Sequence, residues 1–100
     1  METLIKGTTE TLVAKLDDRL DNVTDLTTYN VDYKVTSEDD DSVIQNWTPV
    51  NSKSGMKVFI LVNTTGAGWV IGTYKLYVRP TIGSEQPILG PWEFGLTKLP

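Results

Sequence analysis

Strict alternation of apolar and polar residues can bury one face of a β-strand, but it cannot bury one stripe of a helix. This chain repeats that alternation along most of its length. In residues 28–36, Tyr29, Val31, Tyr33 and Val35 alternate with Asn30, Asp32, Lys34 and Thr36. Behind the lead-in Gly68-Trp69-Val70-Ile71-Gly72-Thr73, Tyr74, Leu76 and Val78 alternate with Lys75, Tyr77 and Arg79. Each run predicts a half-buried antiparallel strand, with its aromatic and branched residues inward and its charged residues in water.

The remaining segments extend the pattern. Residues 8–16 place Leu12, Ala14 and Leu16 on one face with Thr11 and Lys15 opposite, which predicts a strand. Leu12, Val13, Leu16 and Leu20 also fit a spacing of three and four, so a helix over residues 9–20 is the alternative. Residues 42–49, anchored by Val43, Ile44 and Trp47, read as an edge strand, because Pro49 cannot donate a ladder hydrogen bond. Residues 56–62 face Met56, Val58, Ile60 and Val62 one way and Lys57, Phe59 and Leu61 the other, which predicts contact on both sides. The last strand, residues 89–99, alternates Trp92, Phe94 and Leu96 with Glu93, Gly95 and Thr97.

Between these runs lie turn-forming segments: Asp17-Asp18-Arg19-Leu20-Asp21-Asn22, the acidic run 38–41, the loop 51–55, the corner 63–68 and the irregular stretch 80–87. About seven short strands at such spacing predict a two-layer antiparallel Greek-key sandwich. One hundred residues make one domain, residues 1–100, large enough to bury roughly two thirds of its unfolded surface.

Composition narrows the chemistry. The absence of cysteine excludes disulfides, thiolate nucleophiles and thiolate-bound zinc, and the absence of histidine removes the usual near-neutral proton shuttle. No nucleophile and base pair can be named, so no enzyme is expected, no catalytic residue is assigned and no cofactor is implied. A net charge of −4 opposes non-specific binding to nucleic acid. Met1-Glu2-Thr3-Leu4-Ile5-Lys6-Gly7 lacks the apolar core of a secretory signal. The longest apolar run, Val58-Phe59-Ile60-Leu61-Val62, is strand-sized, far short of the ~20 residues that span a bilayer, so no membrane partner is expected.

The acidic residues Glu38, Asp39, Asp40 and Asp41 could offer oxygens to calcium, but no EF-hand spacing is present, and they read as a solvated hairpin tip. Asp17, Asp18, Asp21 and Asp25 read the same way, and no metal site is assigned. The glycosylation-like triplets at Asn22, Asn46 and Asn63 read as accidents of composition, and Gly66-Ala67-Gly68 as a turn that lacks the lysine of a phosphate loop.

Four segments carry a resemblance. They are Leu4-Ile5-Lys6-Gly7-Thr8, Asp25-Leu26-Thr27 before the Tyr29 strand, Gly72-Thr73-Tyr74-Lys75-Leu76-Tyr77-Val78, and Pro87-Ile88-Leu89-Gly90-Pro91-Trp92-Glu93-Phe94. In order, they resemble small immunoglobulin-like structural proteins of tailed bacteriophages, including the amino-terminal module of baseplate upper proteins. The resemblance implies an immunoglobulin-like antiparallel β-sandwich of about seven strands, with Tyr74 as a tyrosine corner that pins the topology. It also implies a non-enzymatic virion part, assembled in the host cytoplasm, that binds the major capsid protein or other virion structural proteins. With no receptor-binding extension after Pro100, decoration of the head is expected, with a neck, tail or baseplate role as the alternative.

Chain ends fray unless something ties them down, and residues 1–7 are expected to pack on another subunit. Leu4, Ile5, Trp47, Trp92 and Phe94 are the candidate partner-binding residues, and Tyr74 and Trp69 the structural ones. Homo-oligomeric contacts within the assembly are expected, with neither nucleic acid nor membrane as partner. A carbohydrate-binding module is the competing expectation, and it requires Trp47 and Trp69 to share one flat exposed face.

Overall fold

The computed structural model describes residues 2–16, 20, 23–66 and 68–98. Among these the structure is all-β, with no helix and eight strands: β1 Glu2–Ile5, β2 Thr9–Lys15, β3 Asn30–Ser37, β4 Val43–Pro49, β5 Ser52–Ser54, β6 Lys57–Asn63, β7 Gly72–Thr81 and β8 Leu89–Thr97. They form a five-stranded sheet in the order β1-β8-β7-β3-β4 and a three-stranded sheet in the order β2-β6-β5. All neighbouring pairs are antiparallel except β1 and β8.

Alternation decides what enters the interior. Leu12 and Ala14 of β2, Val31, Tyr33 and Val35 of β3, Val58, Ile60 and Val62 of β6, and Tyr74, Leu76 and Val78 of β7 are all buried. They form one cluster with Leu16, Leu26, Phe94 and Leu96, so the two sheets share a single apolar interior. The helical alternative for residues 9–20 is overturned over β2, where Val13 is 44% exposed between buried Leu12 and Ala14. The turn expected at residues 17–22 falls largely on Asp17, Asp18, Arg19, Asp21 and Asn22, outside the described residues, as does Ala67 of the 66–68 turn.

Two strands lie where none was expected. β1 runs parallel to β8, with Glu2 opposite Phe94 and Leu4 opposite Leu96. Its Leu4 is 2% exposed, so the inward side of this segment is covered within the chain, while Glu2 and Thr3 stay exposed on the edge strand. β5 lies inside the expected loop 51–55. Its hairpin to β6 turns at Gly55, whose φ of 59° suits the first central position of a two-residue turn. The expectation of contact on both faces of β6 is corrected too, since Leu61 is 48% exposed on the outer face.

β7 begins at Gly72, which leaves Trp69, Val70 and Ile71 of the lead-in outside the strand, and Tyr74 supplies the reason. Its hydroxyl accepts from the Val70 N–H at 2.9 Å and donates to the Val70 carbonyl, which holds that backbone out of the ladder. Thr64 performs a similar service at the other side of the corner. Its side chain is 1% exposed, accepts from Gly7 N–H at 3.0 Å and lies 3.3 Å and 3.2 Å from the carbonyls of Ile5 and Thr8. The β1–β2 turn is thereby pinned to the end of β6.

β4 is an edge strand of the five-stranded sheet, as Pro49 predicts. Tyr33 pairs with Thr48 and Val35 with Gln45, so Asn46 and Trp47 together lie opposite Lys34 alone. Such a bulge re-aims side chains and spoils the edge as a template for pairing. Asn46 closes it further. Its side-chain oxygen accepts from Trp47 N–H at 2.8 Å, and its carbonyl accepts from Thr48 Oγ1 at 2.8 Å and Gln45 Nε2 at 3.3 Å.

Candidate functional site

The outward residues of three adjacent strands converge on the outer face of the five-stranded sheet. Asp32, Lys34 and Thr36 project from β3, Lys75, Tyr77 and Arg79 from β7, and Trp47 from the bulge of β4. Register places Asp32 opposite Arg79, Lys34 opposite Tyr77 and Thr36 opposite Lys75. The Trp47 ring is half-buried among cations, with the Arg79 guanidinium 4.2 Å from its centroid and Lys34 Nζ at 5.7 Å. A guanidinium over an indole face is attracted by the ring quadrupole by about 0.5–2 kcal/mol, which holds the indole in one orientation. Arg79 Nη2 also meets Asp32 Oδ2 at 3.2 Å.

Beside this clasp lies a groove of about 450 Å³ lined by Lys34, Thr36, Asp41, Trp47, Lys75 and Tyr77. Lys75 Nζ lies 3.5 Å from Asp41 Oδ1, whose side chain is 78% exposed. Thr36 is 7% exposed, and its buried hydroxyl has no hydrogen-bond partner among the described residues. Arg79 Nε is likewise buried without a partner.

The turn from β3 to β4 frames one end of the groove. Asp40 accepts from Ser42 Oγ at 2.7 Å and from Ser42 N–H at 3.1 Å, and these bonds hold its carboxyl below the usual range. Asp25 is lowered similarly by the Thr27 N–H, at 2.9 Å. On the inner face, burial pushes the Tyr33 phenol up. Among the described residues, no group of three acidic side chains gathers as a metal site would.

The candidate contact residues separate. Leu4 and Phe94 are each 2% exposed and belong to the core, which corrects their assignment as partner-binding residues. Alternation places Phe94 on a strand whose free face could be either side, and it predicts no strand around Leu4. Ile5 is half-buried, its N–H donating to Glu10 Oε2 at 2.7 Å. Trp92 is half-buried and packs against the core at the flank between β8 and β2. Of the five, Trp47 projects into the groove on the outer face. Trp69 instead packs on Tyr74, with centroids 5.1 Å apart, and near Phe94, at 6.4 Å. Trp47 and Trp69 therefore share no flat platform, and the geometry that the carbohydrate-binding expectation required is not formed.

Sequence reasoning assigned Lys34, Thr36, Lys75 and Tyr77 to the solvent side of their strands without seeing them as one site. The signal was their position among the outward residues of two strands that come to lie side by side. No protein-family model, no curated protein and no solved structure matches this chain, so the site rests on its own geometry.

Proposed function

We propose that the chain is an immunoglobulin-like module that serves as a non-enzymatic virion structural protein, decorating a capsid by docking onto the major capsid protein. The strand order supports the architectural half of this reading. If β2, β5 and β6 are taken as B, D and E, and β3, β4, β7 and β8 as C, C′, F and G, the sheets read B-E-D and G-F-C-C′, with β1 added parallel to G. The Tyr74 hydroxyl bonded back to Val70 stands where a tyrosine corner stands, at the start of F.

The observation that carries the functional half is Trp47 clasped by Arg79 on the outer face of a rigid sheet. Trp, Tyr and Arg are the residue types that anchor protein interfaces, and here they are preset in one orientation on strands rather than on loops. Repetition on a lattice lets modest single contacts add up to firm attachment. Cosedimentation with virions from the protein's own source tests this. Trp47→Ala should lower occupancy at least about tenfold while the chain stays folded. Undiminished occupancy, or no association of the unaltered chain, would remove the reading.

A further inference from the structure

We infer that the groove beside Trp47 takes a carboxylate side chain from an acidic segment of the protein partner, with Lys34, Lys75 and the Thr36 hydroxyl as its three donors. The inference rests on the docking reading and specifies what the partner must offer. Three observations meet at this groove. The Thr36 hydroxyl is buried on its wall with no partner among the described residues, and a buried hydroxyl left unbonded is costly. Lys34 has no ion pair among the described residues, and its ammonium lies 5.7 Å from the centroid of the Trp47 ring. Lys75 already holds a carboxylate of this same chain, Asp41, in a loose 3.5 Å contact open to solvent.

A carboxylate accepts hydrogen bonds only, at about four lone-pair positions, so two ammonium groups and one hydroxyl suit it without leaving a donor opposed to a donor. Local charge favours the same ligand although the chain's net charge is −4, because the groove lining sets Lys34 and Lys75 against Asp41 alone. The aliphatic stem of a glutamate would lie along Tyr77 and the exposed Ile88 at the rim, which is 60% exposed. A protein segment fits better than an acidic sugar, since Arg79 lies over the indole face that a sugar ring would need. The bonds made by Asn46 close the β4 edge, so the segment approaches over the face and does not extend the sheet.

Backbone amide shifts of the full chain, followed during titration with a short peptide carrying two adjacent glutamates, test the inference. The peptide should move the amides of Lys34, Thr36, Trp47, Lys75 and Tyr77 with a dissociation constant of about 1 mM or tighter, and its glutamine counterpart should not. Thr36→Val, which keeps the shape and removes the hydroxyl, and Lys34→Met should each weaken binding about tenfold. Equal binding of the glutamine peptide, unchanged binding by both variants, or no shift at about 10 mM peptide would overturn the inference. So would glucuronate binding in the groove where the glutamate peptide does not. Trp47-dependent virion association without peptide binding would sink the groove and leave the docking reading. Peptide binding without virion association would do the reverse.

Discussion

Two tryptophans of this molecule meet opposite fates, and the contrast separates what holds the fold from what the fold presents. Trp69 packs with Tyr74 and Phe94, the latter pair stacked at 5.5 Å, where each ring shields the others from water. Trp47 forms no ring pair among the described residues and is held by cations on the opposite side of the sheet. In the first cluster, ring burial and a doubly bonded hydroxyl supply stability. In the second, electrostatic attraction fixes a side chain that remains half in water, so its orientation matters more than its energy. A ring held this way contributes little to folding and is already posed for a partner.

The largest expected effect lies in the first cluster. Tyr74→Ala should lower unfolding free energy by about 4 kcal/mol, because it removes a ring that is 1% exposed and leaves the Val70 N–H and carbonyl unpaired. Tyr74→Phe, which keeps the ring, should cost about 2 kcal/mol. Urea denaturation checks both, and a Phe variant as stable as the parent would mean that the hydroxyl bonds contribute nothing. For Trp47→Ala the same measurement should find only about 1 kcal/mol, the scale of one partly exposed cation–π contact and modest packing. A loss as large as that of Tyr74→Ala would erase the division between the two clusters.

The smallest effect is an acid one. The Asp25 and Asp40 carboxyls are lowered in the folded chain, so the stability that they contribute is fully present above the ordinary carboxylate value. It is lost as pH falls through their lowered values, in the window below about pH 4. Thermal melts from pH 5 downward should show this decline, and Asp40→Asn should flatten part of it. Because Asp40 shapes the turn beside the groove, its protonation should also loosen the Trp47 side of the molecule before the Tyr74 side. Amide exchange that opens both sides together would contradict that order.

How far the sequence could be read depends on the distance over which each feature is encoded. The inward set Val31, Tyr33 and Val35 and its counterparts on β2, β6 and β7 were legible, because alternation needs only nearest neighbours. β1 was not, since four residues with one buried leucine carry too little pattern. β5 was not, since Ser52-Lys53-Ser54 has turn-like composition and is a strand only because Gly55 folds it onto β6. Thr64 looked like one more corner residue, yet it is a buried anchor because Gly7 and Thr8 arrive beside it from far along the chain. Phe94 reads as a contact residue because alternation does not say which face is already covered, and Leu4 because no strand is legible around it.

By itself the sequence determined which side chains turn inward and which turn outward, since the period of an extended backbone is a local consequence of its stereochemistry. Only the tertiary structure decided which outward residues would be neighbours. Trp47 meets Arg79, and Thr36 lies beside Lys75, because β4, β3 and β7 align in a particular register, with a bulge that places two residues opposite one. Register is set by the packing of the shared apolar interior, a property of the whole chain that no single segment encodes.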